Sequence, residues 1–139
     1  MKIFVPSECE KKPRADMYLP IWVNILGILV DLGALALLVA AFITQTWALI
    51  MGFVAAGVLG VAANLCWKNQ KINMIDDYTF EYTTFLGKTT RYRFSDIRGL
   101  KSNTDSMTLF VGEGRVHIES CAIISATLVD RINTALPNQ

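Results

Sequence analysis

Few side chains of this 139-residue chain have the chemistry of an active site. The single histidine, His117, excludes a multi-histidine metal site, and strand alternation places it on a sheet face, where a structural role outweighs catalysis or pH sensing. Asp76-Asp77 is more typical of a turn or strand start than of an acid–base dyad. Gly112-Glu113-Gly114 is too short for a phosphate loop. We therefore predict no enzyme, no metal site and no cofactor.

The three cysteines form no recognisable metal or disulfide motif. Cys9, Cys66 and Cys121 lack the paired spacing of a zinc site, and their odd number argues against a closed disulfide framework. We expect three reduced thiols, which suits a reducing compartment.

Asp31 is the most informative ionisable residue, because it is the only charged residue from Leu19 to Cys66. Near a bilayer centre such a group costs at least ~2.5 kcal/mol unless it is paired or neutralised. One interpretation is a protonated Asp31 hydrogen-bonded within a helical hairpin or a homo-oligomer. Another is docking against a basic or polar group of a second membrane protein. Ion conduction is disfavoured, since one carboxylate without a relay makes a poor pathway.

The apolar stretch around Asp31 is long enough for two membrane spans. Charged residues are only 18% of the chain, against ~25% in average soluble domains. Crossing the hydrocarbon core takes ~20 apolar residues in a helix, and Ile21–Ile43 and Trp47–Cys66 each supply them. The polar linker of residues 44–46 is so short that the helices must be antiparallel neighbours. The first span is too long for a cleavable signal peptide, and a second follows at once.

Flanking charges predict the orientation of this helical hairpin. Basic residues lie on both outer sides, and the linker has none, so the positive-inside rule places both termini in the cytoplasm. We expect a multi-pass protein of the cell (inner) membrane. The flanking cations are Lys2, Lys11, Lys12, Arg14, Lys68 and Lys71.

Small and polar residues predict how the helices pack. One face of the second helix carries Gly52, Ala56, Gly60 and Asn64 at intervals of four, a stripe that lets another helix approach closely. Reflection about the linker places Asn24 and Asn64 at similar depth, which predicts an inter-helix amide hydrogen bond. The small residues that the first helix offers are Gly27, Gly33, Ala34 and Ala40.

From Lys71 onward the pattern alternates, which indicates short antiparallel strands. The first predicted hairpin spans Tyr78–Phe94 and turns at residues 86–88. With Phe85 opposite Thr89, the predicted cross-strand pairs are Tyr82 with Tyr92, Phe80 with Phe94 and Glu81 with Arg93.

A second hairpin is predicted over Met107–Ser120, with its turn at Glu113-Gly114 and Gly112 opposite Arg115. The stretch between the hairpins, Ser95–Ser106, is interpreted as a connection. Ile97 and Leu100 are its predicted buried anchors, and residues 102–105 form a loop. The apolar face of the second hairpin comprises Met107, Leu109, Val111, Val116 and Ile118, and the opposite face carries Phe110 and His117.

The chain ends in a predicted amphipathic helix that begins between Ser120 and Ser125 and stops at Pro137. Its apolar face repeats every four residues at Ile124, Leu128, Ile132 and Leu136. The predicted fold is thus a membrane α-hairpin plus a small α+β domain, a β-sheet or partial barrel closed by this helix. The predicted divisions are 1–18 for an N-terminal segment, 19–67 for the hairpin and 71–137 for the domain.

The N-terminal segment has no assigned element. Ile3–Val5 could add an edge strand to the sheet, but Pro6 and Pro13 limit any regular element there.

These features resemble small, largely uncharacterised bacterial membrane proteins with a pleckstrin-homology-like domain. The residues that carry the resemblance are Tyr78-Thr79-Phe80, Thr84 to Thr89, and Tyr92-Arg93-Phe94-Ser95-Asp96-Ile97, after a hydrophobic hairpin and before a closing helix. The resemblance covers roughly residues 70–136. It implies a fold and a membrane setting, with basic residues of the first hairpin as the phosphate-binding positions.

Basic residues around the first hairpin are the candidate binding site. The chain from Lys71 has eight basic and eight acidic residues, so it lacks the surplus of a nucleic-acid binder. Locally the cations dominate; besides an ordinary solvated face, they suit anionic lipid or an acidic partner, with phosphoinositides a weaker possibility. The candidate residues are Lys88, Arg91, Arg93, Arg98 and Lys101.

The sequence thus predicts a non-enzymatic, membrane-anchored interaction module that binds a protein partner or the anionic membrane surface. The alternative is a structural or assembly subunit of a larger membrane complex, which includes a homo-oligomer. A small channel or transporter is weaker, because two helices with one carboxylate line no pore unless many copies assemble.

Overall fold

A computed structural model describes residues 15–137 of the chain. The edge strand considered at Ile3–Val5, Cys9 and the cations before residue 15 lie outside the described residues. The elements in chain order are β1 (Met17–Tyr18), α1 (Ile21–Thr44), α2 (Trp47–Asn69), β2 (Lys71–Met74), β3 (Thr79–Thr83), β4 (Thr89–Arg93), a 3₁₀ turn (Phe94–Asp96), β5 (Ile97–Ser102), β6 (Ser106–Val111), β7 (Gly114–Glu119), β8 (Ile123–Ile124) and α3 (Ala126–Ala135).

The two predicted apolar helices are confirmed. They span 24 and 23 residues, are long and apolar enough to cross a membrane, and turn at Gln45 in a left-handed conformation. Only 17% and 6% of their most apolar windows are buried in the protein. The central helix of a soluble domain would be mostly buried, so this exposed apolar surface suits lipid better than water. The second helix ends at Asn69, three residues beyond its predicted end.

The strand β1 precedes the helices, yet it belongs to the sheet that follows them. Met17 lies opposite Ile72 of β2 on one side and Ile124 of β8 on the other, and it is fully buried. The sequence pattern does not indicate a strand at residues 17–18. The helical hairpin therefore interrupts a pair of neighbouring β-strands, and Gln70 alone separates α2 from β2.

The β domain consists of two antiparallel sheets. The first has the order β4-β3-β2-β1-β8, and the second has the order β5-β6-β7. The interpretation of Ser95–Ser106 as a connection is wrong, because β5 occupies half of it. A bulge between Ile97 and Gly99 interrupts the alternation of side chains. Ile97 is therefore buried and Leu100 half-buried despite a spacing of three, which masks the strand pattern.

The β3–β4 hairpin has the predicted faces but a different register. Phe80 lies opposite Tyr92, and Glu81 opposite Arg91, so the predicted pairs are wrong by two residues. The cause is a turn that lies one residue earlier than predicted, since the Thr84 N–H donates to the Lys88 carbonyl and places these two residues opposite each other. A shift of two residues preserves the faces, and the Phe80 ring still packs 5.8 Å from Tyr92 and 4.8 Å from Phe94.

The β6–β7 hairpin turns one residue earlier than predicted, which changes every cross-strand partner by two residues. Val111 pairs with Gly114, and a two-residue turn joins them, with Gly112 at a φ of +58°. Glycine at the first central position is typical of a type II′ hairpin turn. The predicted apolar face is retained, since Leu109, Val111, Val116 and Ile118 are all buried.

The predicted C-terminal helix is confirmed and covers the core. Ser125 caps its N-terminus, since the Ser125 Oγ accepts a hydrogen bond from the Leu128 N–H. Leu128 and Ile132 are buried against both sheets' apolar residues. Ile124 lies in β8 and Leu136 follows the helix, so the apolar repeat extends beyond the helix at both ends.

Candidate functional site

A polar contact joins the two helices of the membrane half. The Asn64 Nδ2 donates to the Asp31 Oδ2 at 2.9 Å. The predicted hydrogen bond between Asn64 and Asn24 is therefore wrong, because the Asn64 amide binds Asp31 instead. Asn24 is half-buried one turn before Gly27. This contact supports the interpretation in which Asp31 is hydrogen-bonded within the hairpin. Asn64 Oδ1 is buried and has no hydrogen-bond partner among the described residues.

Two glycines make room for these polar side chains. A Cβ on Gly27 would lie 2.5 Å from the Asn64 Oδ1, and a Cβ on Gly60 would overlap the Asp31 carboxylate. The same two positions would also lie 3.0 Å from the Gly60 carbonyl and 2.9 Å from the Gly27 carbonyl. Each helix thus has a notch at a glycine and a polar side chain four residues later. Asn64 of α2 fills the notch at Gly27 of α1, and Asp31 of α1 fills the notch at Gly60 of α2.

Of the two glycines that the sequence offers on α1, the structure uses Gly27 for packing and leaves Gly33 open. Within residues 15–137, no atom lies within 4 Å of the position that a Cβ would take on Gly33. Reflection about the middle of the observed connection, residues 45–46, places Gly27 level with Asn64 and Asp31 level with Gly60. The predicted pairing of Asn24 with Asn64 uses a centre more than one residue away, so it misses both contacts.

The small-residue stripe of α2 packs against α1 of the same chain. Gly60 is buried, Ala56 and Gly52 are half-buried, and a Cβ on Gly52 would lie 3.3 Å from Leu37. Gly57 lies outside the stripe, and no atom of the described residues comes within 4 Å of the position that its Cβ would take. The stripe therefore stabilises the hairpin itself.

An apolar groove of about 900 Å³ runs along the helical hairpin. Its walls come from both helices, Asp31 is the acidic residue among its described lining, and Phe85 of the β3–β4 turn lines its domain end. The remaining lining residues are Ile28, Leu32, Ala34, Leu35, Phe53, Val54, Gly57, Val58, Val61, Ala62 and Leu65.

Direct side-chain contacts join the helices to the β domain. Gln70 is 5% exposed, and its Nε2 donates to the His117 carbonyl at 3.2 Å. The Asn69 Nδ2 donates to the Phe85 carbonyl at 2.8 Å. Beside this junction, burial raises the pKa of the Tyr82 hydroxyl. The helices and the domain thus meet through a packed, hydrogen-bonded contact.

Before α1, Asp16 ties three parts of the domain together. Its Oδ2 accepts a hydrogen bond from the Met74 N–H at 2.7 Å, and its Oδ1 accepts one from the Ser125 hydroxyl at 3.2 Å. Its carbonyl accepts the Ser125 N–H. Asp16 therefore links β2 and the start of α3 to the strand that leads into the membrane helices.

The five candidate basic residues do not form one patch. Lys88 lies in the turn beside Asn69, whereas Arg93 lies at the other end of β4, opposite Thr79. Arg91 pairs with Glu81 at 2.9 Å. Arg98 and Lys101 are exposed on β5, in the other sheet. Sequence proximity groups these cations, but the division into two sheets separates them.

Two of the cations share a cleft between the sheets. Arg91 and Arg93 line an opening of about 610 Å³, together with Asp96 and the β6–β7 turn that includes Glu113. Arg93 is exposed and has no ion-pair partner within residues 15–137. The strand β4 is the outermost strand of its sheet, so among the described residues its outward edge has no strand neighbour.

The residues considered for catalysis have structural contacts. The His117 Nε2 lies 3.1 Å from the exposed Glu119 carboxylate. Hydrogen bonds from the backbone N–H groups of Tyr78 and Thr79 hold the pKa of Asp76 below its usual value. Burial raises the pKa of Cys121, which favours the thiol over the nucleophilic thiolate. In the described part of the chain, no three His, Cys, Asp or Glu side chains meet as metal ligands would.

Comparison with protein-family models, curated proteins and solved structures finds no match to this chain.

Proposed function

We propose that this chain is a non-enzymatic interaction module, anchored in a membrane by α1 and α2, whose β domain binds an acidic segment of a protein partner. The observation that carries the proposal is the cleft beside β4, where Arg91 and Arg93 lie along the outer strand of a sheet. An extended peptide can add to such an edge through backbone hydrogen bonds, and side chains along the edge then select its sequence.

Charge defines the class of partner. Arg93 is the exposed cation of the cleft without an ion pair in the described part of the chain, so it is available to a carboxylate. Arginine binds carboxylates through two parallel hydrogen bonds, which favours an Asp or Glu of the partner. Asp96 and Glu113 also line the cleft, so the acidic side chain of the bound segment lies at Arg93 and its neighbours are neutral or basic.

The junction of the helices with the domain supports a fixed presentation of this edge. Gln70 is the one residue between α2 and β2, and its side chain is bonded to β7. A domain held this way keeps one orientation toward the bilayer, so ordering it costs little further entropy when a partner binds.

The cytoplasmic orientation and the pleckstrin-homology-like character of the domain belong to the same proposal. The orientation rests on the flanking cations. The domain character rests on the quoted motifs, two antiparallel sheets and a closing helix.

Charge reversal tests the proposed partner site. We expect Arg93→Glu to lower recovery of a stoichiometric partner about tenfold, because attraction becomes repulsion at an exposed contact. The measurement is purification of the tagged full-length chain in mild detergent, with quantitative mass spectrometry. Arg98→Glu makes the same charge change on the exposed face of β5 and is the matched control. Equal recovery from both variants would contradict the site.

A second candidate function, an assembly subunit of a membrane complex, is favoured by the groove along the helices. Gly57 lines this groove, and the space that its Cβ would enter is free of described atoms to 4 Å. Gly57→Leu should therefore leave the hairpin intact while filling the space a partner helix would occupy. We expect loss of a co-purifying membrane subunit or of self-association, measured by native mass spectrometry. Assembly that is unchanged would argue against this function.

A further inference from the structure

The β3–β4 turn is unusually apolar for a turn at the surface. Phe85 is 44% exposed and Leu86 is 73% exposed, in a position where polar residues are the norm. Gly87 follows at a φ of +85°, a conformation that glycine adopts without strain, and the Thr84 Oγ1 accepts a hydrogen bond from the Lys88 N–H. Contact with water does not explain two adjacent exposed apolar side chains at the tip of a hairpin, and such a patch is typical of an interaction site.

The location of the turn explains why its side chains are apolar. Its Phe85 carbonyl is bonded to Asn69, the last residue of α2, and the Phe85 side chain lines the groove with Leu65 and Ala62. The ring therefore lies beside the last apolar turn of the helix. With 23 residues, α2 is about 34 Å long, and the hydrocarbon core covers about 30 Å of it. Leu65 is thus near the boundary between hydrocarbon and headgroups.

Positive charge accompanies the apolar tip. Lys88 belongs to the same turn, and Lys68 precedes Asn69 in the last turn of α2; both are exposed. An apolar tip with lysines beside it matches the layering of a bilayer interface, in which acyl chains lie below a plane of phosphates.

We propose that the turn of residues 84–88 inserts Phe85 and Leu86 into the interface of an anionic bilayer, while Lys68 and Lys88 contact lipid phosphates. The turn then acts as a second membrane contact that supports the domain beside the helices. The inference rests on the membrane placement in the proposed function, and it is independent of the protein partner at β4.

Two cysteine variants with similar exposure in the protein test this contact. Leu86→Cys lies at the tip, and Tyr78→Cys lies at the other end of the same hairpin, where Tyr78 is 78% exposed. Each full-length variant is reconstituted at one copy per vesicle in phosphatidylcholine with phosphatidylglycerol. A charged, impermeant maleimide is added, and labelling of each peptide is followed by mass spectrometry, which separates the new cysteine from the native ones.

We expect Leu86→Cys to react about tenfold more slowly than Tyr78→Cys, the order of protection that burial of a side chain and its apolar neighbour provides. The impermeant maleimide cannot reach molecules whose domain lies inside the vesicle. These molecules lower the labelling of both variants equally, because positions 78 and 86 belong to one domain. One copy per vesicle removes self-association as a source of protection.

The lipid charge is tested on the same variant. In phosphatidylcholine alone, which has no net negative charge, or after Lys88→Glu, we expect the protection of Leu86→Cys to fall about fivefold, from about tenfold to about twofold. Lys101→Glu, an exposed lysine of β5, is the matched control and should change nothing.

Equal labelling at positions 78 and 86 in a chain that resists alkaline extraction from the vesicles would overturn the inserted turn and leave the membrane anchor standing. Protection that does not depend on lipid charge would overturn the role of the lysines. A chain that alkali extracts would instead refute the membrane placement of the proposed function.

Discussion

A fragment of residues 71–137, the domain predicted from the sequence, is expected not to fold by itself. It lacks Met17, which is fully buried and lies between Ile72 of β2 and Ile124 of β8. It also lacks Leu19, which is buried in the same core. Without β1, the β8 strand loses its neighbour in the sheet and the buried surfaces of Ile72 and Ile124 open to water.

The measurement is the amide dispersion of a ¹H–¹⁵N spectrum together with urea unfolding. We expect a collapsed spectrum and no cooperative transition, because small domains are stable by only ~5–15 kcal/mol and cannot lose a central strand. The control chain keeps residues 15–20 and replaces the helical hairpin by a short Gly-Ser linker before Gln70. Tyr18 and Lys71 are cross-strand partners, so a short linker can close this turn.

A folded 71–137 fragment with a cooperative transition would contradict the role given to β1. If the control chain also failed to fold, the packing of Val23 and Trp67 against the core would be required even when β1 is present. The two chains together therefore separate the strand from the helices.

Gly60→Leu is expected to open the helical hairpin. Its new side chain would meet the Asp31 carboxylate and lie against the Gly27 carbonyl, which belongs to the opposing backbone and cannot turn aside. Overpacking costs about 1–3 kcal/mol, and loss of the Asn64–Asp31 hydrogen bond adds ~0.6–2 kcal/mol. We expect the free energy of unfolding to fall by about 2–5 kcal/mol.

The measurement is reversible unfolding in mixed micelles of increasing SDS fraction, followed by circular dichroism and by the distance between spin labels on the two helices. Gly33→Leu is the matched control, because no described atom lies within 4 Å of the position of its Cβ. Its side chain would face lipid, so stability should remain within about 0.5 kcal/mol of the parent. Similar losses from Gly60→Leu and Gly33→Leu would show that the interlocked notches do not hold the hairpin.

Local patterns were sufficient for several elements. The two long apolar helices follow from run length and from a linker of three residues, because nothing but an antiparallel pair satisfies both. The faces of both β-hairpins follow from alternation, and they survive a register error of two residues since the side-chain period is two. Ser125 and the repeat through Leu128 and Ile132 determine α3 in the same local way.

The sequence pattern did not predict the registers of the two hairpins or the strands β5 and β1. The register of each hairpin is set by the geometry of its turn, which the residue types at Thr84–Lys88 and Gly112-Glu113 leave open. A bulge at Ile97 breaks the alternation that would have indicated β5. The two-residue β1 has no period at all, and its partners lie more than fifty residues away.

The candidate sites divide in the same way. The sequence alone indicated that Asp31 must be paired or neutralised between two apolar helices, because burying an unpaired carboxylate in such surroundings is too costly. Only the tertiary structure decided that the partner is Asn64 and that Gly27 and Gly60 accommodate both side chains, since helix contact depends on rotation and depth together. It also decided that Lys88 and Arg93 lie far apart, because a strand of five residues separates them by about 17 Å along one edge.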